Sequence, residues 1–198
     1  LSAAKTAATT VVDQARKTND RVKQYLAAGG GKVIGEEYVP LGAPNKFEEA
    51  VTRIKGAKPD AVVVTLVGAD NVNFNRTFAD FNLSDDILRL SCLLEENTLI
   101  GIGKDASKNL YSSLGYFADL DLPENKAFIG ELTKKYGDKA PQQCTISKGL
   151  FDAFVFAAAV TTKSKSLAAK EFAAAAEGVQ FETPSGSMTM THRHTAKN

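Results

Sequence analysis

The sequence predicts an α/β fold: a Rossmann-like, mostly parallel sheet with flanking helices, followed by a mainly helical C-terminal segment. Three observations carry this. A continuous apolar run, Ala61 to Val67, follows Lys58-Pro59-Asp60 and ends in a polar turn at Gly68. Its four valines and one threonine favour a central strand buried on both faces over a buried helix. After the turn, Asn71, Phe74, Phe78 and Phe81 recur at helical spacing, so an amphipathic helix follows. Finally, helical and strand patterns alternate as α-β-α-β-α-β-β-α up to about residue 140, which implies parallel strands with helices on both faces.

In chain order, Val11, Val12, Ala15, Val22 and Leu26 fall near one face of a helix over residues 1–28, which Gly29-Gly30-Gly31 ends. Lys32 to Val39 reads as a strand, with a loop at Pro40–Pro44. Phe47, Ala50, Val51 and Ile54 give the second helix, with Asn45 as its N-cap. The central strand and its Phe-rich helix come next. Ile87 to Leu94 is a third strand, followed by Glu95-Glu96-Asn97 and a helical turn ending at Gly101. Leu110 to Phe117 is a fourth strand. Asp121 caps a helix that runs to Tyr136, with Pro123 in its first turn and Gly137 closing it.

The last third changes character. Ile146 to Val160 is a strongly apolar helix, Leu167 to Ala176 an alanine-rich one, and a short hairpin forms around Pro184-Ser185-Gly186. The turn cluster Gly137–Pro141 suggests a boundary, dividing the chain into a helix at 1–28, an α/β lobe at 29–140 and a helical segment at 141–198.

Composition narrows the function classes. With 43% apolar and 24% charged residues in 198, the chain has the make-up of a soluble globular protein with a sizeable core. Its 24 basic and 23 acidic residues leave a net charge of +1, which gives no electrostatic case for nucleic acid or a membrane surface. No apolar run approaches the ~18–20 residues of a membrane span. Cys92 and Cys144 lack metal spacing and read as buried free thiols, a disulfide being the alternative. No signal-peptide pattern precedes residue 28, so either a leader has been removed or the chain begins internally.

Enzymatic signatures are missing. There is no G-x-S-x-G elbow, Walker loop or Cys–His nucleophile pattern. Glu95-Glu96 reads as acids favoured at a helix N-terminus rather than an acid–base pair. His192 and His194 form an H-x-H pair with no carboxylate or thiol nearby in sequence, so no metal is expected. The glycines at 29–31 and at 101 and 103 follow helical stretches, against phosphate binding. No cofactor is implied.

Several stretches, in unbroken order over roughly residues 17–196, resemble a known family. They are Gly29 to Gly42, Lys58-Pro59-Asp60 with the strand Val62–Gly68, Asn71–Asp80, Gly115-Tyr116-Phe117, Leu122–Phe128, Phe181–Gly186 and Thr191–Thr195. Together they resemble the C-terminal half of type I periplasmic binding proteins, in the urea and short-chain amide branch. The resemblance implies a two-lobed clamp closing on a solute without chemistry, an extracytoplasmic setting, and a first lobe that is largely missing here. It also implies that the helix 146–160 normally packs on that lobe. Two motifs depart: the turn reads Gly68-Ala69-Asp70-Asn71 where Gly-Asp-Ser-Asn is usual, and Lys148-Gly149-Leu150-Phe151 replaces a Glu-Ala-Ala-Tyr-like segment.

Sheet topology would place a ligand at the C-terminal strand ends, nominating Thr65, Gly68, Asp70, Ser91 and Tyr116. Asp70, Thr65 and Tyr116 suit the N–H and carbonyl groups of a small neutral amide; equally, Asp70 could cap a helix and Tyr116 pack in the sheet. Two functions stand. One is solute recognition within a urea or amide-binding protein of an ABC transporter or amide sensor. The other is a ligand-free lobe serving as a structural subunit, its protein partner covering Leu150, Phe151, Phe154, Val155 and Phe156.

Overall fold

The computed structural model describes residues 2–193 and 195–197, with side chains at all of these except 2–12 and 44. His194, one of the H-x-H pair, and the side chains of Val11 and Val12 therefore lie outside the described residues. The chain divides into two compact units, Leu1–Leu114 and Gly115–Asn198.

The first unit opens with helix α1 (Ser2–Ala28). It ends as the glycines predict: the Gly31 N–H donates to Leu26 O at 2.7 Å, and Gly30 takes a φ of +76°, which only glycine adopts freely. Residues 32–39 do not form the expected strand. They run exposed, with no ladder partner among the described residues, until Val39 packs against the core. Side chains anchor the segment instead. Glu36 reaches Lys23 of α1 at 3.0 Å, and Glu37 takes a two-pronged contact from Arg53 of the next helix at 2.6 and 2.8 Å.

A 3₁₀ turn, Pro44–Lys46, precedes α2 (Phe47–Ala57). It draws Asn45 into the turn, so Lys46 occupies the cap position and no side chain caps the helix, contrary to expectation. The parallel sheet is β1 (Ala61–Val64), β2 (Leu88–Ser91) and β3 (Leu110–Ser112), in that spatial order. All three strands are shorter than their apolar runs. β1 is an edge strand rather than the centre, and only Val64 is fully buried. The reason lies past Val64, where Thr65–Val67 leave the sheet to reach the turn at Gly68.

The helices α3 (Gly68–Asp80) and α4 (Glu96–Ile102) follow β1 and β2. Phe47, Val51, Val64, Phe74, Phe78, Leu83 and Ile87 form the core, each side chain stabilising by about 1.5–3 kcal/mol on burial. Phe47 and Phe74 meet edge-on at 6.0 Å. Gly101 lets α4 approach α3, since a Cβ there would lie 3.0 Å from a Val72 methyl. The register Val63–Leu90–Tyr111 marks the opposite sheet face, where Leu90 and Tyr111 are exposed.

The second unit contains α5 (Pro123–Tyr136), α6 (Thr145–Ser164), α7 (Ala169–Ala176) and an antiparallel sheet of β4 (Gln180–Thr183), β5 (Gly186–Met190) and β6 (Ala196–Lys197). Pro123 sits at the first turn of α5 as expected, but Asp121 does not cap it: Leu122 holds that position and Asp121 pairs with Lys126 at 2.5 Å. Helix α6 begins at Cys144, whose N–H donates to Ser147 Oγ at 2.9 Å.

Val160, Ala176 and Val179 form the core of this unit, and Phe156 joins it with its ring 5.2 Å from Phe181 and 6.2 Å from Phe172. By length and composition alone α6 could cross a membrane. Its inward face nevertheless belongs to this core. The outward face stays open: Ile146, Leu150 and Phe154, spaced four apart, are 73%, 60% and 70% exposed. Phe151 is 40% exposed and leans on Phe128 at 4.7 Å, and Val155 is half-buried.

Candidate ligand site

Parallel strands bring their C-terminal ends to one edge, and in the first unit that edge is polar. Thr65 directly follows β1, and Ser91 closes β2 with 2% exposure. Gly68 opens α3 with a φ of +52°, in the left-handed region, where it turns the chain from strand into helix. Of the predicted site residues, Thr65, Gly68 and Ser91 thus share the edge.

Asp70 belongs to the same turn but is committed elsewhere. Its Oδ2 accepts the Gly42 N–H at 2.9 Å, so it ties the loop at residues 40–43 to α3. It does not cap the helix either, since the cap position is Val67. Its charge still sits favourably in the first helical turn.

Beneath this edge runs a buried polar chain that the sequence reading missed. Asn71 donates to Leu66 O at 3.0 Å and to Ser91 Oγ at 3.4 Å. Asn75 donates to Asn71 Oδ1 at 2.7 Å, and Arg89 on β2 donates to Asn75 Oδ1 at 2.7 Å. Arg89 also reaches Ala106 O, Ser84 Oγ and Lys108 O, and it lies over the Phe78 ring at 4.7 Å. Asn71, Asn75 and Arg89 are all fully buried. Burial pulls the Arg89 pKa down to about 10, which leaves it charged at neutral pH. The available signal was the Asn71–Asn75 spacing of four on the same helix face as Phe74 and Phe78.

Tyr116 lies in the second unit, outside any strand, and is 2% exposed. Its hydroxyl donates to Asn125 Oδ1 at 2.7 Å, and its carbonyl accepts from Thr145 Oγ1 at 2.8 Å. Asn125 in turn donates to Ala118 O and Leu120 O. Next to it, Lys148 and Asp152 of α6 form an ion pair at 2.5 Å, with Lys148 Nζ 5.7 Å from the Tyr116 ring centroid. This pair too was missed, although two charges four apart in an apolar helix are visible in the sequence.

The remaining chemistry-bearing groups are quiet. Glu95 and Glu96 sit at the N-terminus of α4, where the helix favours acids. Both cysteines are free thiols; Cys144 is buried, and burial pushes the Cys92 thiol up. His192 is exposed in a turn. Among the described residues, no group of three or more His, Cys, Asp or Glu side chains could hold a metal ion.

Comparison with known proteins agrees with this architecture. A family model described as periplasmic binding protein matches residues 6–198. An ABC-transporter solute-binding protein from R. palustris, in complex with benzoate, is 24% identical with a TM-score of 0.76 over 88% of this chain and 47% of its own. A solute-binding protein from Rhodopseudomonas palustris BisB5, in complex with 3,4-dihydroxybenzoic acid, is 25% identical with a TM-score of 0.72 over 87% and 47%. An amino acid ABC transporter substrate-binding protein from Pseudomonas fluorescens Pf-5 is 21% identical with a TM-score of 0.74 over 87% and 45%. The chain therefore spans about half the length of these structures. No curated protein sequence matches it. With a family model covering all but its first five residues, this chain belongs to the periplasmic binding protein family.

Proposed function

We propose that the chain recognises a small polar solute as part of an extracytoplasmic ABC-transporter binding protein, with the solute meeting the C-terminal edge of the parallel sheet at Thr65, Gly68 and Ser91. The observation that carries this is the polar strand-end edge in a chain that matches its family from residue 6 to 198. Asp70 shapes the site through the 40–43 loop. No residue is asked to do chemistry. Urea or a short-chain amide remains the solute class implied by the resemblance; the similar structures were named for benzoates and amino acids, which are the competitors to test.

The open stripe Ile146–Leu150–Phe154, with Phe151 beside it, supports a second element of the reading: a complementary lobe, from the same or another polypeptide, covers α6 and completes the clamp. This takes in the observation behind the structural-subunit alternative without requiring that the site be lost.

The test is an amide-detected NMR titration with urea, acetamide, L-leucine and benzoate at millimolar concentrations, since half a clamp binds weakly. Shifts at Thr65, Gly68 and Ser91 that saturate with one solute class support the reading. If none of the four solutes moves any of these resonances, it is wrong.

A further inference from the structure

The second unit holds a cavity of about 350 Å³, bounded by α5, by residues 118–119 and by the loop at 140–143. That volume lies at the lower end of the range in which proteins hold small molecules. Its walls are mostly apolar, from Ala118, Ile129, Leu132, Ala140 and Pro141. The polar side chains that line it are Asp119, Thr133, Gln142 and Gln143, and each of them presents an acceptor. Gln143 is only 7% exposed, and its Nε2 donates to Pro141 O at 2.9 Å. That bond fixes which arm of the carboxamide is the oxygen. The oxygen itself has no hydrogen-bond partner among the described residues, yet it is not sealed from solvent. Gln142 Nε2 is engaged with Gln143 O at 3.2 Å, and the Thr133 hydroxyl gives its hydrogen to Ile129 O at 3.0 Å. Asp119 adds a carboxylate with no ion pair among the described residues. The basic residues nearby in sequence, Lys134, Lys135 and Lys139, do not line the cavity.

We propose that this cavity binds a primary alkylammonium group. The ammonium donates to Gln143 Oε1 and lies against the Asp119 carboxylate, while a short alkyl chain rests on Ile129 and Leu132. An ammonium brings three donors and a positive charge, which matches a lining of acceptors with one carboxylate. A carboxylate fits badly, because it adds acceptors to acceptors and sets like charge against Asp119. A neutral alcohol offers one donor and no charge. The group can arrive as a free amine or as the lysine side chain of another protein, and the chemistry of recognition is the same for both. This site goes beyond the solute-binding reading and does not rest on it.

The test is an amide-detected NMR titration of the 198-residue chain with n-butylammonium, 1-butanol and butyrate, which share an alkyl chain and differ in the head group. The expected result is that n-butylammonium at millimolar concentration moves the Ala118, Leu132 and Gln143 amides to saturation. The alcohol and the acid should bind more weakly by about tenfold or more. Gln143→Met keeps the bulk, removes the acceptor, and should weaken the ammonium about tenfold. Should that variant not fold, Asp119→Asn, at an exposed position, is expected to weaken it about twofold to fivefold through the lost charge. Nα-acetyl-lysine N-methylamide then separates the sources: binding tighter than n-butylammonium assigns the group to a partner's lysine, and equal or weaker binding assigns it to a free amine. The site is overturned by the absence of a saturable shift at these amides, or by an equal response to butyrate or butanol. An unchanged affinity in folded Gln143→Met or, failing that, in Asp119→Asn overturns it as well. None of these outcomes involves Thr65, Gly68 or Ser91, so the solute-binding reading stands or falls separately.

Discussion

A guanidinium buried on a strand with no carboxylate ion-paired to it among the described residues has to be held by neutral oxygens, and Arg89 is held by four of them. Arg89→Ala takes the donors from Asn75 Oδ1, Ala106 O and Lys108 O at once, and a cost of about 3 kcal/mol or more is expected in urea unfolding. Arg89→Lys should recover little, because one ammonium cannot span acceptors fixed by a planar fork. Equal stability of the alanine variant and the parent would mean the network does not hold the sheet. At Gly68 the cause is backbone conformation alone. A φ of +52° with open space around the Cβ position makes Gly68→Ala a matter of strain, about 1–2 kcal/mol by thermal melting. Neither residue's importance could be read fully from the sequence. The glycine was legible as a turn. Arg89, in a strand pattern, reads as a surface residue until its neighbours are placed.

Elements were legible where the chain decides alone and illegible where a partner decides. The α3 pattern of Phe74 and Phe78 needed only periodicity, and Phe78→Ala at 0% exposure should cost about 3–5 kcal/mol. Residues 32–39 show the opposite case. Their Val, Ile and Tyr content reads as a strand, but pairing requires a neighbouring strand that the described residues do not supply, so the segment is pinned by side chains instead. The Tyr38 hydroxyl donates to Glu36 Oε1 at 2.6 Å, and this bond, ahead of the contact with Lys23, holds the Glu36 carboxyl below the usual carboxylate range. A folded-state pKa that is depressed adds stability above the unfolded value, and that stability is lost as pH falls through the folded one. Tyr38→Phe should therefore raise the Glu36 titration midpoint in side-chain carboxyl NMR; no movement would show that the bond does not persist in solution. Helix α6 was legible as an apolar helix. Which way each residue faces was not readable: Phe156 turns into the unit's own core, while Leu150 and Phe154 face outward.

At the scale of the molecule, the family was legible from ordered short motifs, while the solute was not, because specificity sits in a few polar groups whose partners emerge only on folding. A pocket that binds a small molecule usually encloses 70–90% of its surface, and a single strand-end edge cannot do that. The chain covers about 47% of the benzoate-bound relative. On the proposed solute-binding reading, useful affinity would require a covering lobe, and the open stripe of α6 is where its docking would be felt. Leu150→Asp and Phe154→Asp, both at exposed positions, should leave the thermal stability of the 198-residue chain within about 0.5 kcal/mol of the parent. In the protein as isolated from its source, by contrast, they should break the assembly or destabilise the longer polypeptide. Native mass spectrometry of that protein, with an intact mass of the chain, distinguishes the cases. A longer polypeptide or a two-chain particle that tightens solute binding by orders of magnitude over the 198-residue chain is the expected result. A lone 198-residue monomer, with the same weak response to solute as the charged variants, would show that nothing docks on α6 and that the clamp is never completed.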